Sequence, residues 1–301
     1  MNCHTCSRKS IYFARYNGRH YCSTHFLDFV EGRVRKEIRR QGILAHNSTV
    51  CVAVSGGKDS MTALTLMKEF SRERRDIRLI AITVDEGITG YRSEALRLVE
   101  EYTDRIGVEW HCRSFNDEAG FTMDRLAPRE RERTTCAYCG VFRRSIMNSM
   151  ARDLGATRLV TGLNLDDTAQ SVMMNIARGD MTRMSMMGPH ERTVDGLVPR
   201  AQPLLGIPEN EVLLYAIQRG IPFIRSSCPY SEEASRNLFR DIVLRLEAEM
   251  PGSRYAVIKS GMAMSEAPPS GRISRCAECG DVTSGSECRA CALRTELAKV
   301  L

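Results

Sequence analysis

No apolar run in this 301-residue chain approaches the ~20 residues needed to cross a bilayer, which argues against a membrane-spanning helix. The polar start MNCHTCSRKS does not fit a secretory leader either, so a cytoplasmic protein with no membrane partner is expected. The Walker spacing G-x-x-x-x-G-K-[ST] is absent. No internal repeat is visible in the centre. Strong charge bias is missing too: 43 Lys and Arg stand against 37 Asp and Glu, a net +6. That balance permits nucleic-acid binding without demanding it. Basic clusters do occur at Arg33–Arg40, Arg72–Arg78 and Arg125–Arg133, each readable as an RNA contact or as a solvated helix or loop face.

What the chain has is cysteine. Ten of its twelve cysteines lie in groups. In a reducing compartment such clusters read as metal or redox chemistry rather than disulfides. Between the clustered ends, short β-branched runs alternate with longer helical patterns. The runs are Thr49–Val54, Leu79–Val84, Val108–Cys112 and Arg158–Gly162. Phe142, Ile146, Met150 and Leu154 recur every four residues, one apolar stripe on a helix. Strand–helix alternation implies an α/β fold, a parallel twisted sheet with helices on both faces. Ligands of such sheets bind at the carboxyl ends of the strands. The expected layout is a metal module over residues 1–30, a catalytic domain over 31–271 and a second metal module over 272–301.

Ser55-Gly56-Gly57-Lys58-Asp59-Ser60 follows the run ending at Val54 and opens a helix through Leu64 and Met67. Paired glycines let the backbone approach phosphate oxygens, and the helix start presents free N–H groups. Ser55 and Ser60 add hydroxyls and Lys58 a mobile charge. A Gly-Gly turn can also be merely structural. Here SGGKDS resembles the loop of the PP-loop ATP-pyrophosphatases, which cleave ATP between the α and β phosphates and adenylate a carbonyl-type oxygen. Val84-Asp85-Glu86-Gly87-Ile88 and Thr161-Gly162-Leu163-Asn164-Leu165-Asp166-Asp167 follow in order. The latter is similar to the superfamily's G-H-N-x-D-D stretch, with Leu163 in place of His. The resemblance implies a HUP-like fold and ATP contacts at Val54, Ser55, Gly56, Gly57, Lys58, Asp59, Ser60, Val84, Gly162 and Asp167. Asp166 and Asp167 are equally suited to cap the helix that follows.

Cys136 and Cys139 form a C-x-x-C at a helix start, where the dipole is expected to lower thiol pKa. Cys228 stands apart in Ser226-Ser227-Cys228-Pro229-Tyr230. Three thiolates on a 4Fe-4S cluster leave one iron open. A persulfide-carrying dithiol or a zinc site remain rival readings of the residues alone. C-A-Y-C-G-V-F-R-R with a distant C-P is similar to the TtcA/TtuA family of tRNA 2-thiolation enzymes, and the ligand sets at both ends narrow the likeness to its TtuA/NcsA branch. It extends from Cys3 to Cys291. It implies a 4Fe-4S cluster on Cys136, Cys139 and Cys228, tRNA as substrate, a ubiquitin-like sulfur carrier or sulfide as donor, and a homodimer. Arg143 stands where some relatives have a lysine, so it is carried as a catalytic candidate and as a possible tRNA-phosphate contact.

At the ends, Cys3-x-x-Cys6 with Cys22-x-x-His25 and Cys276-x-x-Cys279 with Cys288-x-x-Cys291 each make a four-ligand set that suits structural Zn²⁺. Each module is too small for its own core, so metal binding is expected to supply folding energy. Arg8, Lys9, Arg15 and Arg19 with Tyr12, Phe13 and Tyr16 could contact RNA or pack against the catalytic domain. Cys51 and Cys112 sit on strands and receive no function.

The implied reaction is adenylation of a uridine C2 oxygen, turning a poor leaving group into AMP, followed by attack of cluster-held sulfide on C2. Lys58 and Mg²⁺ would steady phosphate charge, and Asp59, Asp166 or Asp167 would orient the metal or handle protons. The target base must leave its stack. CGVFRR favours the wobble uridine over the T-loop uridine, by likeness to NcsA. A different PP-loop ligase or amidotransferase, or a non-enzymatic zinc-binding RNA module, are the alternatives.

Overall fold

The structure, a computed structural model, describes residues 1–129, 133–189, 196–231, 236–265 and 274–298. Residues 130–132 of the third basic cluster and the expected boundary at 271–272 lie outside them.

The chain opens with a hairpin, β1 (Tyr12–Ala14) and β2 (Arg19–Tyr21), and helix α1 (Ser23–Arg40). Then come β3 (Ser48–Ala53), α2 (Lys58–Ser71), β4 (Ile77–Asp85), α3 (Tyr91–Ile106), β5 (Glu109–Ser114) and the short α4 (Phe115–Ala119) and α5 (Met123–Leu126). Helix α6 (Thr135–Asp153), β6 (Arg158–Val160), α7 (Leu165–Arg178), α8 (Met181–Ser185) and β7 (Arg200–Ala201) follow. The rest is α9 (Glu209–Gln218), α10 (Arg236–Glu249), α11 (Ser253–Ser265), the hairpin β8 (Ser274–Arg275) and β9 (Val282–Thr283), and α12 (Arg289–Leu297).

Five strands form one parallel sheet in the order β5-β4-β3-β6-β7. The chain leaves β3 to pair β4 on one side and later returns to pair β6 on the other, which makes the carboxyl end of β3 a switch point where a ligand crevice opens. Alternating strand residues feed two cores. Val50, Val52 and Ala81 face α1, α2 and α9, whereas Cys51, Ile80 and Ile82 face the aromatic cluster of Phe115, Phe121 and Phe142. That alternation explains the buried Cys51: it is a core residue on the α6 side.

The N-terminal module has no separate core. Phe26, Val30, Val34 and Ile38 recur at four-residue spacing along α1 and are buried with Ala14, Tyr21 and the sheet in one cluster. The expected boundary after residue 30 therefore falls inside a continuous helix. The C-terminal module is also docked: Leu293 and Leu297 of α12 and the buried Cys276, Cys288 and Cys291 join the cluster that holds Phe142 and Ile146 of α6. Much of the basic charge is spent locally. Arg33 pairs with Glu211, Arg40 with Glu37, Arg74 with Asp76 and Arg78 with Glu109. Among the described residues no helix is long and apolar enough to cross a membrane.

Candidate active site

The nucleotide loop is held open by its own hydroxyls. The Ser55 N–H donates to Ser60 Oγ at 3.0 Å, and Ser60 Oγ donates to the Gly57 carbonyl at 2.9 Å. Gly56 has φ +86 and a Cβ there would meet Ala95 at 3.0 Å, so both its conformation and its space require glycine. Gly162 is needed for a different reason. A Cβ would lie 2.7 Å from the Ser60 nitrogen, so the turn after β6 rests directly on the first turn of α2. The second expected ATP stretch is thereby brought against the first.

The acidic pair of that stretch is divided. Asn164 caps α7 and Asp167 completes a capping box with it. Asp166 is 2% exposed and receives Arg254 Nη1 at 2.7 and 3.0 Å together with the Glu209 N–H at 2.7 Å. Pro208 stands at the N-cap of α9 with no side-chain cap, so Asp166 serves as that cap from a distant helix. Both of its oxygens thus carry contacts that brace α9 and α11. Asp167 keeps a half-open carboxylate 3.3 Å from Arg236. Burial pushes its pKa up to about 6 against the pull of Arg236, and Asp59 nearby adds to the rise. Asp59 itself is fixed by Asn164 Nδ2 at 3.0 Å and Lys58 Nζ at 2.9 Å.

The segments that carry the three central cysteines lie against one another beside this crevice. Cys136 and Cys139 lie in the first turns of α6 behind Thr134. Cys136 Sγ donates to the Tyr230 carbonyl at 3.3 Å, two residues past Cys228. The segment leading to Cys228 is pinned to the nucleotide loop, since the Ile224 N–H donates to the Gly56 carbonyl at 3.0 Å. The expected dipole-lowered thiol is not what this site provides. Burial pushes Cys139 up to about 12, opposed by Arg143 but reinforced by Glu86 and the other two cysteines, and burial also raises Cys228. Desolvation outweighs half a helix-end charge here. Such thiols ionise when a metal replaces the proton.

Two residues that sequence reasoning left without a role join the two halves. Arg92 is buried and donates to the Ser55 carbonyl at 2.9 Å and to the Val84 carbonyl, and its Nε lies 2.9 Å from Glu86 Oε2. The other Glu86 oxygen lies 3.7 Å from Arg143 Nη1. Ser55, Arg92, Glu86 and Arg143 thus run in contact from the loop to the helix of Cys139. Glu86 stood within the second strand-end stretch, but an exposed acid and a buried one read alike in sequence.

At the ends, the ligand atoms of Cys3, Cys6, Cys22 and His25 lie within 4.8 Å of one another, as do those of Cys276, Cys279, Cys288 and Cys291. Neighbouring atoms stand 3.4 to 3.8 Å apart in the first set, near the ~3.8 Å edge of a thiolate tetrahedron with ~2.3 Å metal bonds. These are metal-binding groups. Tyr12 and Tyr16, candidates for RNA stacking, donate to Glu211 at 2.9 and 2.6 Å and so pack against α9. Phe13 remains exposed, stacked on His20 with centroids 4.3 Å apart. His4 and His20 are outside both ligand sets.

With loop, sheet and switch point in place, comparison with known proteins gives the class. The PP-loop domain family matches residues 29–247. The tRNA 2-thiolation protein NcsA of Haloferax volcanii is 36% identical over 97% of this chain and 98% of its own. The cytoplasmic tRNA 2-thiolation protein 1 of Saccharomyces cerevisiae is 33% identical over 99% of this chain and 86% of its own. A solved structure, the U34-tRNA thiolase NcsA from Methanococcus maripaludis with its [4Fe-4S] cluster, superposes with a TM-score of 0.89 at 33% identity, covering 99% of this chain and 96% of that one. The chain belongs to the NcsA-type tRNA 2-thiolation proteins, built on an ATP-binding PP-loop domain.

Proposed function

We propose that this chain is an ATP-dependent tRNA sulfurtransferase that replaces the C2 oxygen of the wobble uridine with sulfur. One observation carries the reading: the cysteine trio and the nucleotide loop are parts of one site, joined through Ile224 to Gly56 and through Arg92 and Glu86 to Ser55. A loop that binds ATP could activate a base without cysteines, but nothing in adenylation needs three thiols at its rim.

The donor set fits an iron–sulfur cluster better than a single ion. Among the described residues the three central sulfurs do not converge within 4.8 Å, as both end sets do. A cubane binds each thiolate to a different iron and so holds them farther apart. Cys136, Cys139 and Cys228 would hold it, and Arg143 beside Cys139 would balance an anionic centre. When bound, the cluster supplies an iron short of one protein ligand, suited to carrying sulfur.

The chain's own residues do the rest. The loop Val54 to Ser60, with Val84 and Gly162, cradles the nucleotide, and Lys58 steadies its phosphates. Asp59 and Asp167 both hold Asn164 and are the carboxylates assigned to Mg²⁺ and to proton handling. The uridine oxygen attacks the α phosphorus, and the leaving pyrophosphate takes the electron pair of the broken bond. Asp166 holds α9 in register for this. Zn²⁺ suits both end sets, the sulfur comes from sulfide or a carrier thiocarboxylate, and the working unit is a cytoplasmic homodimer.

Anaerobic incubation of reconstituted protein with tRNA, Mg·ATP and sulfide, followed by mass spectrometry of the nucleosides, tests the reading. It requires 2-thiouridine at position 34, formed only with ATP. Pyrophosphate release without any thionucleoside would reject it.

A further inference from the structure

Lys58 and the residue facing it pose a question that the reaction alone does not answer. Lys58 Nζ lies 2.9 Å from Asp59 Oδ2 and also 2.9 Å from Glu209 Oε1. Glu209 comes from the first turn of α9, on the far side of a cleft of about 480 Å³ lined by Lys58, Arg240, Arg254 and the hairpin of the N-terminal module. Its other oxygen lies 3.6 Å from Arg240 Nη2 on α10. One carboxylate therefore bridges two cations from separate elements, 151 residues apart in the Lys58 pair. Asp166 does not need that carboxylate, because it binds the Glu209 backbone N–H. Nor does Arg254, which is held by Asp166 and Glu247.

A half-buried carboxylate set on two cations makes the kind of charge-assisted contacts that a phosphate oxygen also makes. Lys offers three donors around one charge and Arg a planar fork, so both can turn from a carboxylate to a phosphate without rebuilding the backbone. When the bond between the α phosphorus and its bridging oxygen breaks, negative charge grows on the departing pyrophosphate. Cations on this side of the loop are placed to receive it.

We propose that Lys58 and Arg240 form the pyrophosphate-binding face of the site, and that Glu209 is an internal anion that competes with pyrophosphate for both. This rests on the ATP-cleaving reading above and extends it with two residues, one binding and one positioning. Glu209 lowers the affinity for the β and γ phosphates, and by reclaiming the cations it speeds departure of the product.

Titration of the full-length protein with Mg·pyrophosphate tests this. Glu209→Gln is expected to bind about tenfold tighter, which corresponds to about 1.4 kcal/mol, with a lower KM for ATP and no rise in kcat. Arg240→Gln is expected to bind about tenfold weaker. A merely structural Glu209 would lower the thermal midpoint without tightening binding. Unchanged or weakened affinity in a folded Glu209→Gln variant overturns the proposal, as does wild-type affinity in Arg240→Gln. If Glu209→Gln does not fold, Glu209→Asp decides. Its shorter arm keeps the backbone contact to Asp166 and retreats from Lys58, so tighter binding is expected and unchanged binding overturns the idea. Lys58→Ala separates the two levels: should it bind pyrophosphate like the wild type, the nucleotide-loop reading itself fails.

Discussion

The ends of this chain and its centre use the same amino acid for opposite purposes. At the ends, four ligand atoms converge tightly enough for one ion. In the C-terminal module the sulfurs accept backbone N–H bonds, from Cys288 to Cys276 Sγ at 3.2 Å and from Cys291 to Cys288 Sγ at 3.4 Å. Such bonds fix rotamers, the pattern of a structural site, and they help lower the Cys276 pKa, while burial and the neighbouring thiols raise those of Cys288 and Cys291. At the centre Cys136 donates to the Tyr230 carbonyl instead. Thiols spaced too widely for one ion and joined to a nucleotide loop are poorly suited to bracing a fold. Cysteine spacing announces metal in both places; the surroundings tell support from chemistry.

The largest effect should come from breaking the centre. Replacing Cys136, Cys139 or Cys228 with Ala is expected to abolish thiolation while both end modules keep their metal and the thermal midpoint stays near wild type. Measured by nucleoside mass spectrometry beside metal analysis, full thiolation by any one variant contradicts the assignment. The reverse is expected at the N-terminal end. Cys22→Ser should lose one metal equivalent and destabilise the whole domain, since structural metal contributes about 10–16 kcal/mol of apparent binding energy and Phe26 and Val30 continue from the module into the main core. Chemical denaturation that leaves the α1 core unaffected would show the module to be independent.

Much of this was legible in the sequence, and the reasons are physical. All four expected strands appear within two residues of their bounds; β3 and β4 are rich in β-branched residues, while β5 was legible from Val108 and Trp110 after the Gly107 turn. In the central sheet the strand that escaped, β7, has two residues and pairs only with β6, and the two hairpins at the ends, with strands of two or three residues, escaped too; all are too short to carry a period. The four-ligand sets and the loop were readable because their residues are local. Arg254, Glu209, Arg92 and Arg236 were not, because each acts on a partner that the fold alone brings near. The separation of Asp166 from Asp167 is the sharpest case. Two adjacent identical residues received one reading, and the long-range contact of Arg254 gives them two.

That pair supports a smaller test of support against chemistry. Asp166→Asn leaves the buried Arg254 with Glu247 alone and weakens the cap on α9, and should cost up to about 3–5 kcal/mol of stability, read from denaturant midpoints. Asp167→Asn should cost little, because the amide oxygen can still accept the Asn164 N–H, yet should slow pyrophosphate release. Equal stability losses in the two variants would erase the distinction.

The smallest effect is a pH dependence. Asp167 titrates near 6 in the fold, above the usual 3.8, because burial and the neighbouring Asp59 outweigh Arg236. Between those two values the folded protein binds the extra proton, so this group's contribution to stability falls as pH rises through that window. Asp167→Asn removes the group and should flatten that part of the stability profile. The catalytic consequence has the opposite sign. In the proposed Mg²⁺-holding role the carboxylate must be ionised, so tRNA-dependent pyrophosphate release at low Mg·ATP should fall as pH drops below about 6. In Asp167→Asn the remaining activity should have no acid limb there. A limb that persists at the same pH in the variant assigns the titration to another group, and Asp167 would then be a cap like its neighbour.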